Sequence, residues 1–363
     1  MSSFVKVAFV FPLLLAACAV DPSRPAPAGT KAGALGAPSV STDNPSYQIG
    51  STITVSYAGL PGNLHDWIAI APAGSPNTSV LAFVFTNGQT SGTATFSAPA
   101  NGLYVARAFA NDDYILLAES AVFTVCSDAG GMLCFVAKLS GAEQNPPNSS
   151  TASGSAVIVF DPATRGITYQ VRHTVVGANN GHIHQAPALV NGSIIVPFTL
   201  DGQGASGSDV LTEGEAADLQ AGNLYVNIHS PTFGPGEIRG QILRPGQILF
   251  VARLNGAQEV GPTGSTATGT GSVIFDPATL GITYLLAHTV VGANNAHIHQ
   301  APAGVNGDPI VFFTLVGQGA SGSATLTAAQ ATALQSAGCY MNVHSSTFPG
   351  GEIRGQLLLP PGS

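Results

Sequence analysis

Charge is what this chain has least of. Only 8% of its 363 residues are Asp, Glu, Lys or Arg, too few of the straight-chain helix formers for long amphipathic helices. The 11 basic residues are outnumbered by 19 acidic ones. A formal net charge of -8 repels a phosphate backbone, so nucleic acid is not expected as a partner. Beyond the first residues there is no apolar run long and uninterrupted enough to cross a bilayer. There is also no G-x-S-x-G elbow, no Cys/His pair and no H-E-x-x-H helix, which leaves hydrolysis without a constellation and the chain without an evident enzymatic centre. What is abundant is 44 Gly and 25 Pro. Turn residues at that density point to many short strands, and the length points to two or three domains.

The N-terminus, MSSFVKVAFVFPLLLAAC, has one Lys, an apolar run from Val7 to Leu15, and then Ala16-Ala17-Cys18. The run is too short for a permanent span and marks residues 1–17 as a signal peptide. Small residues ahead of a Cys resemble the lipobox of bacterial lipoproteins, in which the signal is cut before the Cys and the Cys is lipidated. The alternative is an ordinary secretory signal with an incidental Cys. Ala19 follows, and the lack of Asp there resembles the outer-membrane sorting pattern. The resemblance implies an exported lipoprotein of the bacterial cell envelope, held at the outer membrane by lipid on Cys18. Residues 18–40, rich in Pro, Ala and Gly, form a tether. Cys126 and Cys134 flank SDAGGML and can close a small disulfide loop in an oxidising compartment. Cys339 has no mate, since Leu224 takes its place in the related segment described below, and is expected as a buried small hydrophobe.

Residues 41–125 carry six strand candidates (52–57, 67–71, 80–85, 93–97, 103–109 and 121–125), with turn signals such as Leu60-Pro61-Gly62-Asn63 and Asn87-Gly88 between them. YQIGSTITVSYAGLPGNLHDWIAI followed by GLYVARAFANDDY resembles the immunoglobulin-like accessory domains of secreted bacterial proteins. Asp66, Asp112 and Asp113 lack a ligand series like that of an EF-hand and are expected as surface turn carboxylates.

From residue 134 the chain repeats itself. Phe135–Ile242 matches Phe250–Leu357 at a constant offset of 115 residues, with FDPAT and GEIRGQ recurring in both copies. Two domains follow, 134–244 and 249–359. In the first, strands are expected at 135–139, 156–160, 167–175, 182–184, 194–200, 224–229 and 237–243, with one short helix behind the capping boxes Thr212/Glu215 and Thr327/Gln330. Pro197, where the other copy has Phe312, favours an edge strand. The fold class is all-β: a sandwich followed by two sandwich or barrel domains, each with one short helix.

Of nine histidines, eight fall in two matched sets. GANNGHIHQAP at 177–187 returns as GANNAHIHQAP at 292–302. Alternation sends His182 and His184 to one face and Ile183 to the core. The same parity gives Tyr225, Asn227 and His229 one polar row and Glu237, Arg239 and Gln241 another. His182, His184 and His229, with His297, His299 and His344 in the second copy, are therefore candidate ligands for copper or zinc, since neutral imidazoles suit either ion. Glu237, Arg239, Glu352 and Arg354 are candidates to support the rings from behind. His173 and His288 share parity with an apolar face and would need a bulge to join them. The competing expectation is a hydrogen-bonded polar network with a Glu237–Arg239 ion pair and no metal.

GAEQNPP, GHIHQAP, the Asn191-Gly192 pair, LYVNIHS and PGEIRGQI resemble the CHRD (chordin) domain, and AHIHQAP, YMNVHS and GGEIRGQL resemble it again. The usual Glu of the first motif is Glu259 in repeat two, whereas repeat one has Gln144 beside Glu143. The resemblance implies an exported binding or adhesion protein with an unidentified protein or matrix partner. H-x-H followed by a distant strand His is also similar to copper/zinc superoxide dismutase, without its zinc-site Asp or His-rich loop. Three expectations follow: surface-anchored binding, metal binding, or a dismutase-like enzyme.

Overall fold

The computed structural model describes residues 36–360. The signal peptide, Cys18 and most of the tether lie outside the described residues. Strand Ser39–Thr42 already begins within the stretch expected as tether and pairs antiparallel with Thr52–Ala58. Among the described residues no helix is long and apolar enough to cross a membrane.

The N-terminal module has two sheets. One holds Ser39–Thr42, Thr52–Ala58 and Gly92–Ser97; the other runs Ser46–Tyr47, Phe123–Val125, Gly102–Phe109, Trp67–Pro72 and Ala82–Phe85. Alternation along Thr52–Ala58 turns Ile53, Val55 and Tyr57 inward, where they meet Ile68, Ile70 and Ala106 from the opposite sheet. Gly102–Phe109 is buried along its whole length. Its other face, through Leu103 and Val105, packs with Ala71, Ala73 and the Cys126–Cys134 disulfide against Val157 of repeat one. The Gln170 side chain of that repeat accepts the Leu103 amide at 3.2 Å. Asp66 departs from its expected place on the surface. It is fully buried, and its carboxylate accepts from the Gly62, Asn63 and Asn111 amides and from Asn63 Nδ2. Those four donors satisfy it as a loop clamp. Asp112 and Asp113 are exposed.

Each repeat winds one antiparallel sheet around its own core. In repeat one the spatial order is Ser193–Pro197, Asn180–Gln185, Leu224–His229, Ile238–Gln241, Leu133–Ser140, Ser153–Phe160, Gly166–His173, Gly204–Val210 and Leu200–Asp201. The first and last of these strands are separated in sequence only by Phe198 and Thr199. So short a link brings the two ends of the sheet together, and the sheet is barrel-like. Ile158, Val171, Ile183, Val226, Ile228 and Ile238 are among the residues that fill it, and repeat two fills the same space from Phe250 to Leu357. Pro197 lies on the terminal strand, where its missing N–H costs no ladder bond.

The helices form where the capping boxes place them, Glu213–Ala221 and Ala328–Gln335, with both reciprocal bonds made; such a cap stabilises by about 1 kcal/mol. Strands Gly204–Val210 and Gly319–Thr325 were not expected, because GASGSDV and GASGSAT carry no apolar alternation. Their glycines make room for rings: a Cβ on Gly207 would sit 2.5 Å from Tyr169 Oη, and one on Gly322 equally close to Tyr284 Oη. The two repeats touch where Gly222, at the end of the first helix, abuts Ile274.

Candidate metal centre

The polar rows lie on the outside of each barrel yet are buried, because the segments around Pro187–Gly192 and Gly141–Asn148 roof them. Arg239 donates to the carbonyls of Pro187 and Val190, Gln241 to Ala186, and Asn145 to Leu189. Beneath this roof His182 pairs in register with Asn227, which pairs with Arg239; His184 pairs with Tyr225, which pairs with Gln241.

The imidazoles converge. His182, His184 and His229 each offer one ring nitrogen to a set lying within 4.8 Å of one another, and His297, His299 and His344 do the same. His182 Nδ1 stands 3.3 Å from His229 Nε2, and His297 Nδ1 the same distance from His344 Nε2. Two nitrogens bound at about 2.05 Å in a tetrahedral shell would be about 3.3 Å apart.

Backbone carbonyls set the rings. His184 Nδ1 meets the Gly192 oxygen at 3.0 Å and His229 Nδ1 the Gly234 oxygen at 2.9 Å. In repeat two, His299 Nδ1 meets Gly307 O at 2.9 Å and His344 Nδ1 meets Pro349 O at 3.1 Å. A carbonyl only accepts, so each of these Nδ1 atoms carries a proton, and in the neutral ring Nε2 is then the nitrogen that offers the lone pair. The Nε2 atoms of His184 and His299 are buried with no hydrogen-bond partner. Burial, helped by the neighbouring imidazoles, pushes His182 and His297 down to about 4. Burial also lowers His184, His299 and His344. Convergent imidazole nitrogens, with the His184 and His299 Nε2 atoms left without a partner, are the kind of donor set that zinc or copper takes.

Behind the rings stands a stack. His184 lies 4.8 Å from the Tyr225 ring at 7°, and the Arg239 guanidinium sits over that Tyr225 ring, 3.5 Å from its centroid. His299, Tyr340 and Arg354 repeat the arrangement. The carboxylates depart from their expected place behind the rings. Glu237 accepts from Ser150, and Glu352 from Ser265 and Ser345, so the rings are held by backbone oxygens rather than by these side chains. Nor is Glu237 paired with Arg239: the ion pairs among the described residues are Arg107–Glu119 and Arg244–Asp128. His173 and His288 follow their parity into the interior, buried with both ring nitrogens unpartnered, and stand apart from the triads. Tyr225, Tyr340, Gly192 and Gly307 escaped the sequence reading as site residues, although the offset of 115 repeats both pairs.

No curated protein matches the chain. Trypsin-activated α-2-macroglobulin from Escherichia coli is similar at 10% identity over 90% of this chain and 31% of that one, with a TM-score of 0.19. The same protein activated by porcine elastase gives 13%, 90%, 31% and 0.21. The chain thus spans about a third of the length of those structures, and scores this low carry no argument. The CHRD domain model, in contrast, matches residues 135–242 and again 250–357, more than half of the sequence. This chain belongs to the CHRD domain family, and it carries that domain twice.

Proposed function

We propose that the chain is an extracytoplasmic binding lipoprotein whose two CHRD domains each hold one zinc or copper ion on three imidazoles. The observation that carries the metal reading is the convergence of His182, His184 and His229, repeated by His297, His299 and His344, with carbonyls fixing two ring tautomers in each set. A bound ion would cross-link strands Asn180–Gln185 and Leu224–His229 and act as a Lewis acid toward any further ligand. The chain's own contribution is to keep the rings neutral, orient them and limit water. The reading is of binding rather than turnover, because the sequence offers no nucleophile and base in a recognisable spacing.

The leader and Cys18 support attachment to the outer membrane through lipid, with the N-terminal module, similar in sequence to immunoglobulin-like accessory domains, spacing the repeats or joining them in recognising a protein or matrix partner. The test is elemental analysis of protein purified without a histidine tag. About two ions per chain are expected, falling to about one when His182 and His184 are both replaced by Ala, with the fold retained. No bound metal after incubation with zinc or copper would leave the triads as polar networks only.

A further inference from the structure

We infer that the cleft between the two repeats is a binding site for a small organic ammonium, with Glu143 of repeat one receiving the charged nitrogen and apolar side chains of both repeats enclosing the carbon body. The inference goes beyond the metal reading and does not depend on it.

A one-residue shift between the repeats points to the cleft. At the constant offset of 115, Glu143-Gln144 of repeat one answers to Gln258-Glu259 of repeat two, so the two copies exchange an amide and a carboxyl. In repeat two, Gln258 Nε2 turns back to the Arg253 carbonyl at 2.7 Å. In repeat one, Gln144 takes the inner position and bonds to Asn227. The carboxyl moves to the outer position, where Glu143 lines a cavity of about 290 Å³. Val136 and Leu243 of repeat one, with Ile248, Leu249 and Leu359 from the segment that follows, give that cavity apolar walls. Its volume is that of about ten waters, enough for a compact amine. A concave junction between domains, mostly apolar with a few polar groups, is where small ligands bind.

Charge sets the class of ligand. Glu143 Oε2 accepts from the Gln241 amide at 3.3 Å, and among the described residues no Lys or Arg is in ion-pair contact with it. Burial pushes this carboxyl up to about 7, against the pull of the Gln241 amide and of the more distant Arg239 and Lys138 charges. Folding has therefore removed water from the carboxylate without placing a cation on it. An arriving ammonium makes a charge-assisted bond in a poorly solvated setting, where it is stronger than at an exposed carboxylate. A neutral alcohol of the same shape brings only a neutral donor. An anion is repelled, and the net charge of -8 adds to that repulsion.

The test is an NMR titration of the full, metal-free chain near pH 8, so that the result does not depend on whether the triads hold an ion. The probes are phenethylammonium, 2-phenylethanol and 3-phenylpropionate. Phenethylammonium should shift the methyl signals of Val136, Leu243 and Leu249 and bind roughly tenfold more tightly than the alcohol; the propionate should not bind. Glu143→Gln installs the residue that repeat two already carries at this place, so the variant should fold, and its preference for the ammonium should vanish. Nα-acetyl-lysine amide, whose polar backbone must stay at the mouth, should bind more weakly than phenethylammonium. The reverse order would assign the cleft to a lysine side chain of a partner and overturn the small-molecule occupant. Equal affinity for amine and alcohol, or no response to Glu143→Gln, would overturn the role of the carboxylate. No binding of phenethylammonium up to about 10 mM, or shifts confined to other surfaces, would overturn the site.

Discussion

Gly192 and His184 hold each other in place. The Gly192 carbonyl accepts from His184 Nδ1 at 3.0 Å, while its amide donates to Tyr225 Oη, on the ring stacked against that same imidazole. Only a glycine fits there, because a Cβ would sit 2.0 Å from the Gln185 carbonyl oxygen. Gly192→Ala should displace the roof, break both bonds and destabilise by about 1–3 kcal/mol. Metal stoichiometry should fall in repeat one alone, with Gly307→Ala doing the same to repeat two, where the Cβ would lie 2.0 Å from Gln300 O. Chemical denaturation and metal analysis on the same preparations check both parts.

Gln144 and Glu259 occupy one position in the two repeats and behave differently with pH. Gln144 Nε2 donates to Asn227 Oδ1 at 2.7 Å. In repeat two, Glu259 Oε1 and Asn342 Oδ1 are both buried and unpaired, and burial pushes the Glu259 carboxyl up to about 7 against the opposing pull of Arg354 and of the Asn342 side chain. A protonated Glu259 can donate to Asn342 as Gln144 does to Asn227. Because the folded value is raised above the unfolded one, the native state holds more protons between about 4.5 and 7. Its contribution to stability is therefore complete below that window and is lost as pH rises through it. Glu259→Gln should match the parent near pH 4 and exceed it by about 2 kcal/mol at pH 8. Urea unfolding at the two pH values decides it, and a parallel pH dependence in both proteins would contradict the argument.

Strand parity carried most of what was legible in the sequence. It put Ile183, Val226 and Ile228 in the core and the histidines opposite them, because a pleat leaves a side chain two choices and burial decides between them. The helices were legible from their capping boxes. Strand Gly204–Val210 was not, since its pattern answers to the Tyr169 ring packed over Gly207 rather than to an apolar face. The ring partners were hidden for another reason. Any residue has a carbonyl, so Gly192 and Gly234 give no compositional sign of accepting from imidazoles, whereas Glu237 looks like an acceptor and is bonded to Ser150. Asp66 was misplaced likewise, because its four donors come from backbone and Asn63 in two separate loops.

The Cys126–Cys134 disulfide lies at the join between the N-terminal module and repeat one, packed with Leu103, Val105 and Val157. It closes a loop of sequence separation 8, for which loop-closure entropy predicts about 2–3 kcal/mol. Replacing both cysteines by Ser should lower stability by about that amount and raise hydrogen exchange along Gly102–Phe109, while leaving repeat two unchanged. Uniform acceleration in both repeats would mean that the barrels unfold as one unit with the join.

Arg239 is a buried cation with no carboxylate in direct ion-pair contact, the Glu143 charge acting on it from farther off. It is 1% exposed, donates to the Pro187 and Val190 carbonyls, and lies 3.5 Å from the Tyr225 ring. Burial lowers it to about 10, so it keeps its charge at neutral pH. A planar fork can meet two carbonyls while lying flat on a ring; an ammonium cannot do all three. Arg239→Lys should therefore cost about 3 kcal/mol, no less than Arg239→Met, which leaves the same carbonyls unpaired but buries no charge. Either change should loosen Tyr225 and, through it, the ring of His184. A double-mutant cycle of Arg239→Met with Tyr225→Leu should return a coupling of about 1–2 kcal/mol. A coupling near zero would make the stack incidental, and the carbonyl bonds alone would then account for the burial of this charge.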